Sequence, residues 1–251
     1  MEIEPSFYLL AIPAVLITGL SKGGLGGGIS MLGTPLMALA VSPVKAAAIM
    51  LPVLIFMDMI GLISYRGNVK WSIFRQMLPG AIAGIALGWA TAAFVNDDMI
   101  RILVGAIAIL FALNQIFADW KKYGARSENP VTASFWGIVT GYTSFVSHAG
   151  GPPFQAYAVP LKLEKVQFAG TGIVLFSVIN AVKVAPYLAL GQFSTENLHL
   201  SLTLLPVALV GVLAGVWLVR RVSQEVFYQI TYLAMIVVGA RLVYSGIIAL
   251  A

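Results

Sequence analysis

Cysteine is absent from this 251-residue sequence, and histidine occurs only twice. Without cysteine there is no disulfide, no thiol nucleophile and no cysteine-ligated zinc or iron–sulfur site. Two histidines are too few for a dedicated metal cage, and the sequence has no convincing serine–base or metal-ligand spacing. We therefore predict that the protein has no cofactor and is not an enzyme.

Charge is also scarce, because Asp, Glu, Lys and Arg make up 10% of the sequence against 59% hydrophobic residues, with a mean hydropathy of +0.92. This composition excludes a soluble globular domain and predicts segments of about 20 apolar residues that cross about 30 Å of lipid hydrocarbon. Residues 1–5 are acidic and have no basic leader, so we expect the first apolar segment to be retained. We attribute the net charge of +5 to loop residues that set membrane orientation, and not to nucleic-acid binding.

Two glycine-rich interruptions, residues 22–28 and 148–153, divide the apolar pattern. The apolar segments that follow them, 29–41 and 154–161, are too short to span comfortably, so each interruption is expected to join two half-length or tilted helices. Irregular backbone is tolerated within a bilayer only where it is buried in protein or lines a wet cavity. The pattern predicts an all-α polytopic membrane bundle of about 8 to 10 transmembrane segments, with paired breaks typical of a transporter substrate site.

An internal repeat relates the two halves of the sequence. Residues 78–88 align with 205–215 without a gap, and working backward aligns Asp58 with Asn180 and Tyr65 with Tyr187. Lys and Arg fall in alternate loops, which predicts that those loops are cytoplasmic and that both termini lie on the outer side. We expect a single transport domain, 1–251, of two inverted repeats, 1–125 and 126–251, each opening with a glycine-broken helix pair followed by three spans.

The first break is a candidate anion site. Glycine runs form poor helices and leave free amides at the start of the next helix, where the helix dipole also attracts negative charge. The run lacks the ending of a nucleotide-binding P-loop. By contrast, the four-residue spacing of Gly84 with Gly88 and of Gly211 with Gly215 favours close helix packing. The candidate substrate-binding residues in this break are Ser21, Lys22, Gly23, Gly24, Gly26, Gly27 and Gly28.

The second break offers more polar side chains. Serine, histidine and glutamine can donate hydrogen bonds to an oxyanion, although Ser and Thr more commonly bond to their own helix backbone. The candidates here are Ser147, His148, Gly150, Gly151 and Gln155, with Thr143 and Ser144 as further donors.

Two ionisable residues fall inside apolar segments, Asp58 and Lys183. At that depth a charged side chain is by default functional or paired. Asp58 either has a coupling or substrate role or is one half of a structural ion pair, with Lys183 as a potential partner. Lys22 and Lys183 can offset the charge of a bound anion, although Lys22 can instead reach toward headgroups. His148 is a second coupling candidate, with a structural hydrogen-bonding role as the alternative.

The decapeptide from Gly19, the turn from Pro43 to Lys45 and the repeated Leu-Pro-x-Ala pattern resemble the TauE/SafE sulfite exporter family, also called the toluene sulfonate uptake permease family. The resemblance covers essentially the whole chain. It implies a prokaryotic inner-membrane transporter of sulfite, thiosulfate, sulfoacetate or organosulfonates. His148 and Pro152–Pro153 depart from the plain glycine pattern of the family.

These observations together predict a secondary transporter that binds a small sulfur oxyanion or sulfonate between the two breaks, near the membrane midplane, with proton coupling through Asp58 or His148. An anion channel is the alternative that the same sequence could build. An intramembrane enzyme fits less well, because cysteine is absent, the two histidines are far apart and no convincing serine–base or metal-ligand spacing occurs. A purely structural membrane subunit leaves the paired breaks unexplained.

Overall fold

A computed structural model describes residues 5–25, 29–92, 94, 96–117, 126–219, 221 and 224–250. Within these ranges the chain forms ten α-helices and no β-strand, which confirms the predicted all-α bundle. The helices are α1 (Pro5–Leu20), α2 (Gly33–Met37), α3 (Pro43–Ser64), α4 (Trp71–Thr91), α5 (Asp97–Phe117), α6 (Pro130–Ser147), α7 (Gly151–Ala158), α8 (Lys165–Ala189), α9 (Thr195–Val219) and α10 (Gln224–Leu250).

Three of the described helices, α3, α8 and α9, are both long and apolar enough to cross a membrane by length and composition. Helices α4 and α5 have 21 residues each and α10 has 27. At about 1.5 Å of rise per residue they also reach across about 30 Å of hydrocarbon. The short helices α2 and α7 are the half-length elements expected after the two breaks.

The two breaks differ in their local backbone. After α1 the chain forms a π-helical turn, Ser21–Leu25, and then a 3-10 turn, Ile29–Leu32, which leads directly into α2. Helix α6 instead ends abruptly at His148, which adopts a left-handed conformation with φ of 55°. The Ala149 amide then donates to the Thr143 carbonyl at 3.2 Å, six residues earlier, and this bond closes the end of the helix.

The second broken pair is a hairpin that returns along itself. Near the start of α6, the Asn129 amide donates to the Tyr157 hydroxyl at 3.3 Å, and the Arg126 amide donates to the Pro160 carbonyl at 3.0 Å. The end of α7 therefore lies beside the beginning of α6. In the first half, Gly33 at the start of α2 packs against Ala14 and Thr18 of α1, so α2 also lies against the helix before it.

Close helix packing depends on glycine at the crossings of α4 with α6 and of α1 with α9. A Cβ atom added at Gly84 would lie 2.1 Å from the Ile138 carbonyl oxygen, and one added at Gly215 would lie 2.4 Å from the Leu20 carbonyl oxygen. Such distances are far below van der Waals contact, so only glycine lets the backbones approach this closely. This confirms the packing interpretation of the spaced glycines.

Candidate functional site

The π-helical turn of the first break is held from three sides. The Ser30 amide donates to the Ser21 hydroxyl oxygen at 3.0 Å, which ties the two ends of the break together. The Tyr65 hydroxyl, at the end of α3, donates to the Gly23 carbonyl at 2.5 Å. On the opposite side Gly23 packs on the backbone of Gly215 in α9. Gly24 lies in the same turn, whereas Gly26, Gly27 and Gly28 lie outside the described residues.

Lys22 points from this turn toward α3 and forms an ion pair with Asp58. The second carboxylate oxygen of Asp58 accepts a hydrogen bond from the Asn180 side-chain amide of α8 at 2.6 Å. The side chains of Lys22 and Asp58 are only 12% and 4% exposed. Asp58 is therefore half of a buried ion pair, as one of the two interpretations expected, but its partner is Lys22 and not Lys183.

His148 links three elements at the second break. Its Nε2 atom lies 2.9 Å from the Ala47 carbonyl of α3, and its Nδ1 atom lies 2.7 Å from the Lys183 ammonium of α8. Because a carbonyl only accepts, we assign the proton of the neutral ring to Nε2, so that Nδ1 accepts from Lys183. The structural hydrogen-bonding role considered for His148 is therefore present.

Lys183 is completely buried, and it also donates to the Ser144 carbonyl at 3.0 Å and to the Ser144 hydroxyl at 3.1 Å. The Ser144 carbonyl belongs to the last turn of α6, where the negative end of the helix dipole favours a cation. Among the described residues, the ion pairs do not include Lys183. When Lys183 is protonated, its charge is thus stabilised by these hydrogen-bonding dipoles and by none of the described ion pairs.

A cavity lies between the two breaks, with an empty volume of about 610 Å³ that includes its open part. One part of its wall is polar and combines both breaks with α3 and α8: Ser21, Lys22, Ser30, Asp58, Ser144, His148, Gly151 and Asn180. The remainder is largely apolar and comes from α3, α7 and α8: Leu54, Phe154, Phe168, Ala169, Gly172, Ile173 and Phe176. We call this space the site cavity.

Several candidate residues lie beside the site cavity but outside its described lining. Ser147 is buried and donates to the Thr143 carbonyl of its own helix at 3.5 Å, the common alternative for serine. Gln155 is buried in α7, and Gly150 packs against Phe176 and α6. Pro152 and Pro153, at the start of α7, have no N–H group and so offer no amide donor to a ligand.

Other residues that line the site cavity are not substrate-binding candidates in the sequence interpretation. Ser30 follows the glycine run, and only the fold of the break brings it back to Ser21. Asn180 did carry a signal, because the repeat aligns it with Asp58. The apolar lining from α8 follows a spacing of three and four residues, which places it on one helix face. In a sequence so rich in apolar residues, that spacing does not stand out.

No group of three or more His, Cys, Asp or Glu side chains that could hold a metal ion occurs in the part of the chain that the structure describes.

Apolar spanning helices, two interrupted helix pairs and a charged internal cavity define an integral membrane protein of the polytopic helical class. The family model of the sulfite exporter TauE/SafE matches residues 11–242, and the chain belongs to this family. It is therefore a membrane transporter of the sulfur-anion exporter type. Comparison with curated proteins and with solved structures gives no match.

Proposed function

We propose that this protein is a secondary transporter that binds a small sulfur-containing anion in the site cavity, between the two helix breaks. The observation that carries the proposal is the charge balance of this cavity. Lys22, Asp58 and the Lys183–His148–Ser144 cluster converge there from both halves of the chain. Two cations and one carboxylate leave an excess positive charge when Lys183 is protonated.

A bound anion supplies the charge that this arrangement is missing. An isolated buried charge is costly unless it is paired and hydrogen-bonded. Ser144 and His148 line the site cavity and hold the Lys183 ammonium directly behind that wall. An oxyanion that accepts hydrogen bonds from Ser144 and from the Gly151 amide would lie within the field of both lysines.

The apolar wall of the cavity favours a substrate with a small organic group. Phe154, Phe168 and Phe176 lie together, with ring centroids 5.4 Å and 5.7 Å apart for the two pairs that include Phe154. Apolar surface of this kind stabilises a hydrocarbon moiety by its removal from water. Among the substrates that the family resemblance implies, an organosulfonate or sulfoacetate fits this wall better than bare sulfite or thiosulfate.

We further propose that the single domain, 1–251, consists of inverted repeats 1–125 and 126–251 in a prokaryotic inner membrane, with both termini outside. Support comes from the way the helices pair. Helix α1 packs on α9 and α6 packs on α4, while α3 packs on α9 and α8 packs on α4. Helices α1, α3 and α4 of the first half correspond to α6, α8 and α9 of the second. Exchanging corresponding helices converts the α1–α9 pair into the α6–α4 pair and the α3–α9 pair into the α8–α4 pair, as a duplication requires.

Asp58 is the stronger candidate for proton coupling. Its carboxylate competes with the substrate for Lys22, so an arriving anion that takes over Lys22 leaves Asp58 ready to accept a proton. Proton uptake by His148 would require loss of the hydrogen bond that its Nδ1 atom accepts from Lys183. Coupling matters for direction, because an inside-negative potential favours export of one negative charge by about 2.3 kcal/mol per 100 mV.

The test is flux in liposomes reconstituted with the purified protein, using sulfite, thiosulfate, sulfoacetate and a small alkyl sulfonate, with and without a pH gradient. We expect saturable transport whose half-saturating anion concentration rises at least tenfold in Lys22→Met and in Lys183→Met. Lys45→Met is the matched control, because this lysine pairs with Glu196 outside the site cavity. Non-saturating currents would instead indicate an anion channel, and undiminished flux in both cavity variants would overturn the proposed site.

A further inference from the structure

Two tyrosines hold the broken helices in the same way, one in each half of the chain. The Tyr65 hydroxyl donates to the Gly23 carbonyl at 2.5 Å, and the Tyr187 hydroxyl donates to the Phe145 carbonyl at 2.8 Å. In both cases the tyrosine follows its acceptor by 42 residues. Both tyrosine side chains are buried.

Each of these bonds satisfies a carbonyl that the helix break releases. At the end of α6, the Ala149 amide, which would bond to Phe145 in a continuous helix, donates instead to Thr143. The Phe145 carbonyl therefore depends on Tyr187. Gly23 lies in the π-helical turn, where the regular α-helical bonding pattern is interrupted.

The tyrosines lie at opposite ends of the α3–α8 pair. Tyr65 follows the last residue of α3, where the Lys70 amide meets the Thr171 hydroxyl near the start of α8 at 2.9 Å. Tyr187 lies near the end of α8. Since the end of α3 meets the start of α8, the two helices run antiparallel and their tyrosines are separated along the membrane normal.

Tyr187 also forms part of a wall between two cavities. A second cavity, with an empty volume of about 490 Å³ that includes its open part, is lined by Val44, Ala47, Phe145 and Tyr187 among others. Ala47 accepts the hydrogen bond of His148, which lines the site cavity. The Phe145 and Tyr187 rings pack edge to face at 5.5 Å. One layer of side chains thus separates the second cavity from the site cavity.

Tyr65 occupies the corresponding place at the other end. It packs in one cluster with Ala169 and Ile173 of α8, and both of these residues line the site cavity. The site cavity therefore lies between a tyrosine-held break at one end and a tyrosine-held break at the other.

We propose that Tyr65 and Tyr187 are paired positioning residues whose hydroxyl groups latch the two gates of the transport cycle. Release of the Tyr187–Phe145 bond lets the end of α6 move and joins the site cavity to the second cavity. Release of the Tyr65–Gly23 bond opens the opposite side. The inference rests on the proposed use of the site cavity for transport.

The experiment uses the natural absence of cysteine. Leu54→Cys places one thiol in the site cavity, and Val44→Cys, in a separate protein, reports the membrane side on which the second cavity opens. A membrane-impermeant thiol reagent is applied from each side to oriented vesicles. Labelling of Leu54→Cys is then compared in the Tyr65→Phe and Tyr187→Phe backgrounds, without any substrate present.

We expect Tyr187→Phe to increase labelling from the Val44 side, and Tyr65→Phe to increase it from the opposite side, each about fivefold to tenfold, as for loss of one buried hydrogen bond. Tyr244→Phe, on an exposed face of α10, is the control and should change neither. Equal increases from both sides, the signature of a merely structural bond, or no increase would overturn the latch. Ala169→Cys serves as a second reporter if Leu54→Cys does not accumulate.

This outcome is separable from the substrate assignment. If the two variants increase labelling from opposite membrane sides but the native protein transports no sulfur-containing anion, the latch proposal is supported and the proposed substrate class is wrong.

Discussion

Replacing Asp58 by Asn removes a buried negative charge with almost no change of shape. In the native protein this carboxylate bonds to both Lys22 and Asn180, and the Asp58 side chain is 4% exposed. The substitution leaves the Lys22 ammonium, only 12% exposed, without its counter-charge. Loss of one partner from a buried ion pair costs about 3–5 kcal/mol. We therefore expect Asp58→Asn to unfold at a lower temperature than the native protein when no anion is present.

Although Asp58→Asn lowers stability without an anion, we expect it to strengthen anion binding. In the native protein the substrate has to compete with Asp58 for Lys22, whereas in the variant the anion supplies the missing charge. If about 1.4 kcal/mol of the cost of the broken pair is recovered on binding, affinity for the anion increases tenfold. Anion addition should therefore raise the unfolding temperature of Asp58→Asn by more than that of the native protein.

The assay is thermal unfolding of purified protein in detergent, titrated with sulfite and with a small alkyl sulfonate. Glu196→Gln is the matched control, because it removes the carboxylate from the Lys45–Glu196 ion pair, whose side chains are 33% and 44% exposed. An exposed ion pair of this kind contributes only about 0–1 kcal/mol to stability. The double variant Lys22→Met/Asp58→Asn should regain stability but lose the response to anions. If Asp58→Asn is destabilised but anions raise its unfolding temperature no more than that of the native protein, contact between Lys22 and the substrate is refuted.

Three further outcomes are expected. Lys183→Met should raise the half-saturating anion concentration at least tenfold in flux assays, since it removes a buried cation beside the site cavity that forms none of the described ion pairs. Gly84→Ala should lower the free energy of unfolding by about 1–3 kcal/mol, because its Cβ would strike the Ile138 carbonyl, whereas exposed Ala83→Ser should change it little. Phe176→Ala should weaken transport of an alkyl sulfonate more than that of sulfite, and equal losses would count against an apolar subsite.

Much of the candidate site could be predicted from local sequence. Helix breaks are visible in the sequence as glycine and proline within apolar segments. The substrate-binding candidates that these breaks indicate include Lys22, His148 and Gly151, and all three line the site cavity. The sequence does not show which charged residues pair with each other across the bundle. The partner of Asp58 is Lys22, 36 residues away, and no local pattern distinguishes it from Lys183.

Sequence alone determined the membrane environment, the helical class and the positions of the two breaks. These properties follow from apolar composition and from the backbone preferences of glycine and proline, which act within a few residues. Tertiary structure decided which charges meet. It brought Lys22 to Asp58, seated Lys183 at the end of α6 and supplied the tyrosine that satisfies each broken helix. Such contacts depend on how whole helices cross, because a buried charge or free carbonyl accepts whichever partner the packing brings within bonding distance.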